Sequence, residues 1–175
     1  MHIPTHILSG WCIANTVPCL TPKDRLMLVL AASIADIDGV GILWSTDAYL
    51  ELHHVCGHNL VAAISASTIL GLLSQHRALC IFLSLALFHL HLLMDFYGSG
   101  QGWGIACWWP FSDEYYHTDG AWSLGGWQNY LALAILIGWS WRIHRARRRT
   151  PFELLLPVVD RAFLNVFTPR QDQEL

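Results

Sequence analysis

The chain has 175 residues, enough for one domain with a genuine core and too few for two comfortable ones. Apolar residues make up 54% and charged residues 13%, with a mean hydropathy of +0.38, which excludes a disordered chain and disfavours an ordinary cytosolic globule. A net charge of −3 offers no basic face for nucleic acid, so no nucleic-acid partner is expected.

Five apolar stretches follow in chain order, at about 5–20, 22–37, 54–74, 77–96 and 127–143. The second has a clear start, with Thr21 as N-cap, Pro22 at the first helical position and Asp24 in the first turn. The fourth carries no formal charge from Ala78 to Met94, and the fifth holds YLALAILIGWSW before it meets Arg142. A helix of about sixteen residues is about 24 Å long, shorter than the roughly 30 Å hydrocarbon core. The composition nevertheless predicts an all-α, membrane-embedded up-down bundle of about five helices spanning 1–150. An amphipathic cytoplasmic tail follows at 151–175. The first residues lack a basic stretch and a small-residue cleavage site, so no removable signal peptide is expected.

Folding these segments up and down segregates the charges. All ten Lys and Arg fall on one side, in the loops around Lys23, Arg25 and Arg77, after Arg142, and in the tail at Arg161 and Arg170. Basic loops stay cytoplasmic, which predicts a multi-pass membrane protein with its C-terminus inside and its N-terminus outside. The other side collects Asp36, Asp38, Asp47, Glu51, Asp95, Asp113, Glu114 and Asp119, and every histidine except His76 and His144. Cys56 and Cys107 share that side, and the sequence leaves their pairing open.

The outer helix ends form a constellation. His6 opens the first segment, Asp36 and Asp38 close the second, His53, His54 and His58 open the third, and His91 and Asp95 close the fourth. Positions four apart share a helix face, so His54 with His58 and His91 with Asp95 can aim at one atom, whereas His89 points away from His91. Carboxylates in apolar surroundings without a cation must protonate, pair or bind metal. Mixed imidazole and carboxylate ligation suits a divalent metal, zinc by default. The surplus of ligands suggests one or two ions, with Asp38 or Asp95 left over as general base. Taken singly, each residue also has a plain structural reading, such as a turn at Asp36 and Asp38 before Gly39.

The segments THILSG, ADID, HHVCGHNL, and HLLMD followed by a glycine-containing loop and WWPFS resemble the YdjM-like family of bacterial inner-membrane proteins, over roughly residues 1–145. The resemblance implies metal-dependent hydrolysis, with ligands at His6, Asp36, Asp38, His53, His58, His91 and Asp95. The third motif departs from the usual family form, since His54 stands where arginine is common and Gly57 where threonine is common.

Between the fourth and fifth segments lie Trp103, Trp108, Trp109, Trp122 and Trp127 with Tyr115 and Tyr116, readable as an interfacial belt or as a substrate-shaping cap. The expected function is hydrolysis of a lipid or lipid-linked ester or phosphoester by metal-activated water. The alternative is a non-catalytic membrane metal protein, structural or transporting. A transporter places its ionisable groups near the bilayer centre, whereas these lie at helix ends.

Overall fold

The structure is a computed structural model and describes residues 1–153 and 157–167. Among these residues it is all-α, with seven α-helices and one 3-10 helix. Helix α1 covers Ile3–Ala14 and α2 covers Pro22–Ala31; the 3-10 helix Ile34–Leu43 follows, then α3 at Thr46–Leu52. The remainder is α4 at Leu60–Leu73, α5 at Arg77–Gly98, α6 at Trp127–Arg147 and α7 at Pro157–Phe167.

The start of α2 is as expected. The Thr21 hydroxyl accepts from the Asp24 amide at 3.3 Å while the Asp24 carboxylate accepts from the Thr21 amide at 3.0 Å, closing a capping box. Its end differs from expectation. The second segment stops at Ala31, and the 3-10 helix leaves it at 56°. The Ser33 hydroxyl donates back to the Val29 carbonyl at 3.0 Å, a contact that bends helices, and Gly39 and Gly41 offer little support for continuing one.

The third segment also starts later than expected, at Leu60 rather than His54. Asn59 caps it, accepting from the Ala62 amide at 2.8 Å while its own amide donates to the Val55 and Cys56 carbonyls. The residues before it form a loop in which His54 takes a left-handed φ of 69°. An unexpected short helix, α3, lies upstream, capped by Ser45.

α1 packs on α2 and α6, α2 on α4 and α5, and α4 on α5. Gly10 permits the first of these contacts, since a Cβ there would lie 2.6 Å from the Ala32 Cβ. A core of Ala14, Leu20, Leu28, Ala32, Cys80 and Leu87 fills the centre. Helices α1, α2, α4, α5 and α6 alternate in direction, as both ends of the bundle show. At one end Arg25 makes a two-point ion pair with Glu153 (2.9 and 2.8 Å), Arg149 donates to Asn15, and Asp24 accepts from Gln75 and His76. The opposite end holds His6, Asp36, His58, His91 and Asp95.

Five membrane spans are not all long enough. Among the described residues α5 alone is long and apolar enough to cross a membrane, and α2 with the 3-10 helix passes only as a bent pair. The flanks carry many exposed apolar side chains, including Ile64, Ile69, Phe82, Ile135 and Ile137. Cys56 and Cys107 are both free thiols. Helix α7 lies against the end of α6, with Phe163 edge-on to His144 at 5.5 Å and Phe167 edge-on to Trp141 at 5.9 Å. Of the tail expected at 151–175, residues 154–156 and 168–175, Arg170 included, lie outside the described residues.

Candidate metal centre

Four chain segments bring their polar groups to one point. His6 comes from the first turns of α1, Asp36 and Asp38 from the 3-10 helix, His58 from the loop before α4, and His91 with Asp95 from the last turns of α5. The i,i+4 spacing on α5 works as the sequence suggests, with His91 Nε2 2.9 Å from Asp95 Oδ2. His6 Nε2 lies 3.2 Å from Asp95 Oδ1, and His58 Nε2 lies 3.2 Å from Asp95 Oδ2. Asp36 Oδ1 stands 3.6 Å from His91 Nε2 and 3.9 Å from His58 Nε2. The rings of His6 and His91 stack at 3.8 Å.

Ligand atoms of His6, Asp36, His91 and Asp95 all lie within 4.8 Å of one another, as do those of His54, His58 and Asp95, and those of Asp38, His53 and His58. His6, His58, His91 and Asp95 are all buried.

The tautomers follow from the partners. His91 Nδ1 lies 2.8 Å from the Ala32 carbonyl, which can only accept, so this nitrogen carries the proton. His58 Nδ1 lies 2.8 Å from Asp38 Oδ2 and donates to it. In neutral rings both Nε2 atoms are then bare lone pairs, and they face each other across 3.2 Å. Together with His6 and two carboxylates, they form a donor set that suits an imidazole- and carboxylate-bound divalent ion. The Asp36 Oδ2 and His6 Nδ1 atoms are buried without a hydrogen-bond partner. The Met1 amino group also contacts Asp95, and donates to Ser99 Oγ at 3.1 Å. Burial lowers that amine to about 6, against the pull of the Asp36 charge.

Asp38 is placed differently from the other expected ligands. Its Oδ1 accepts from His53 Nδ1 at 2.8 Å, and its Oδ2 accepts from His58 Nδ1 and from the His54 and Gly57 amides at 3.1 and 3.0 Å. It therefore orients His53 and His58, with which it forms one of the groups able to hold an ion. Gly57 makes this possible: a Cβ there would lie 2.1 Å from the Ala35 carbonyl oxygen.

The two histidines left open by the sequence part ways. His53 is tied to Asp38 and stacks on Tyr49 at 4.7 Å. His54 sits 4.5 Å from the His58 ring, with Nδ1 buried and unpartnered. Burial holds its imidazole well below the ordinary range. His89 points away and donates to the Leu85 carbonyl.

A cavity of about 160 Å³ opens over the cluster, lined by Asp36, Tyr49, His53, His54, Asp95 and Trp103 among others. Trp103, one of the expected interfacial aromatics, meets His53, His54 and Tyr49 edge-on at 5.6–5.9 Å. Sequence reasoning did not find Tyr49 or the Ala32 carbonyl; the first sits on an unforeseen helix and the second is a backbone atom with no signature.

A model of the family described as YdjM inner membrane protein matches residues 1–168. The chain belongs to that family. No curated protein and no solved structure matches it. Membership carries an inner-membrane location for the family, and the His and Asp groups able to hold a metal ion fall within the matched residues.

Proposed function

We propose that this protein is a multi-pass, metal-dependent hydrolase of the bacterial inner membrane, acting on a lipid or lipid-linked ester or phosphoester. The observation that carries the reading is the pair of bare Nε2 atoms on His58 and His91, with His91 grouped with His6, Asp36 and Asp95, and His58 grouped with His54 and the same Asp95. His6, His58, His91, Asp36 and Asp95 would hold the ion, with zinc the first candidate. When bound, a divalent metal polarises a carbonyl or phosphoryl oxygen and acidifies a water.

The chain's own residues divide the remaining work. The Ala32 carbonyl and Asp38 hold the Nδ1 protons of His91 and His58, so that both rings present Nε2 to the centre. Asp36 turns Oδ1 toward His58 and His91, where it would hold the ion, and has Oδ2 unpartnered at the cavity, so Oδ2 is better placed than Asp38 to take the proton of an attacking water. Asp95 meets three imidazoles and serves as the central ligand rather than as base. Tyr49 and Trp103 wall the cavity and restrict bulk water.

The Lys and Arg of the connecting segments gather at the end opposite the centre, and this segregation supports an outward-facing centre and a cytoplasmic C-terminus. Stripped and zinc-loaded protein in detergent, assayed on lipid esters and phosphoesters, tests the reading, with melting curves in parallel. Turnover that chelation abolishes while melting persists is expected, because the apolar core does not depend on the centre. No metal-dependent turnover together with unfolding on chelation would make the centre structural.

A further inference from the structure

Beside the centre, on the other face of the loop that carries His53 and His54, lies a second and larger cavity of about 580 Å³. Its walls are Ile34, Ile37 and Val40 of the 3-10 helix, Ala66 and Ile69 of α4, and Phe88 of α5. It is a trough between α4 and the 3-10 helix, which leaves α2 at 56°. Its rim is open, with Ile37 65% and Ile69 58% exposed. In a protein of an inner-membrane family, such an open apolar flank meets lipid rather than water.

One loop separates the trough from the polar cavity. Leu52, Cys56 and Gly57 face the trough, whereas His53 and His54 face the cavity. Asp38 is shared, lining the trough and bonding His58 of the centre. An amphiphile lying across this loop would place an apolar tail on one side and its polar linkage on the other.

We propose that this trough holds an acyl chain of a membrane lipid and positions the attached ester or phosphoester toward the cavity at Asp36. The inference rests on the hydrolase reading for the fate of the lipid, but not for its binding. A tail in the trough exchanges few polar contacts and gains with each buried methylene, so chain length governs affinity.

The test uses the full chain in phosphatidylglycerol vesicles containing a phosphatidylethanolamine with a diazirine at the end of one acyl chain. Illumination should concentrate label on the trough residues of the 3-10 helix and α4, above the exposed flank of α6 at Ile135 and Ile137. Ala66→Trp should cut trough labelling about tenfold, the equivalent of roughly two buried methylenes, while bound metal stays unchanged. Ser65→Phe at the same wall serves if Ala66→Trp melts early. Labelling equal to that of α6, or undiminished by both variants, would overturn the proposal. So would an oxidative Cys56 cross-link between two copies that protects the trough, since a second chain would then occupy it. Trough labelling without turnover of any amphiphile would support the acyl site and overturn the hydrolase reading. Turnover without trough labelling would do the reverse.

Discussion

His58 and His91 face each other with their Nε2 atoms 3.2 Å apart, and each ring has its Nδ1 proton committed elsewhere, to Asp38 and to the Ala32 carbonyl. Two neutral imidazoles so arranged repel through their lone pairs, and only a cation between them relieves this. A proton would satisfy two nitrogens. It would leave Asp36 Oδ2 and His6 Nδ1 buried without a partner. His6, Asp36, His91 and Asp95 form one group able to hold an ion, and His54, His58 and Asp95 form a second that shares Asp95, so one or two divalent ions would account for the set.

Removing a ligand should therefore empty the site. His58→Ala and Asp36→Ala are expected to lower metal affinity by more than the roughly 10–100-fold that loss of an outer partner costs. His76→Ala and His144→Ala should leave it unchanged, because His76 pairs with Asp24 and His144 packs against Trp141 and Phe163, both at the opposite end. Metal content of the four purified variants, measured side by side, checks this.

Asp38→Asn separates orientation from ligation. Oδ2 accepts from His58 and from the His54 and Gly57 amides, and Oδ1 from His53, so an amide keeps one side and turns its N–H groups toward the histidine on the other. Affinity should fall by about 10–100-fold without being abolished. Titration of the stripped variant with zinc reads the change. An affinity equal to wild type would remove Asp38 from the account.

At the basic end, the Arg25 guanidinium is 2% exposed and relies on Glu153, which also accepts from the Trp11 indole at 3.2 Å. Glu153→Ala leaves that charge buried and unpaired, at a cost of about 3–5 kcal/mol. Glu153→Gln should cost less, since one oxygen still accepts. Thermal melting in detergent measures both, and metal content should not change in either.

Reporter fusions test the orientation. One placed after Arg149 and one within residues 98–104 should report opposite compartments, with the former cytoplasmic. The same compartment for both would contradict the alternating arrangement of α5 and α6 across a membrane.

The features written locally were legible in the sequence. Thr21, Pro22 and Asp24 marked the start of α2 because a capping box is a contact between near neighbours. His91 and Asp95 shared a face because α5 is regular there. The features decided by distant contacts were not. The spacing of His54 and His58 looked helical, yet Asp38 pins the His54 and Gly57 amides into a loop, and Asn59 starts the helix afterwards. The apolar run from Leu26 to Ile37 looked continuous, and only the Ser33 bond back to Val29 marks the break. Nothing in ADID distinguishes Asp36, which lines the cavity, from Asp38, which bonds the His53 and His58 rings and two backbone amides.

Metal content of the full chain, purified in detergent without chelator and quantified by elemental mass spectrometry, tests the central claim most directly. A divalent transition metal should be retained at a stoichiometric level. That metal should be lost in a variant carrying His58→Ala and His91→Ala together, with the melting curve still cooperative. A wild-type chain that holds no metal after incubation with zinc, or a double variant that holds as much as wild type, would contradict the claim.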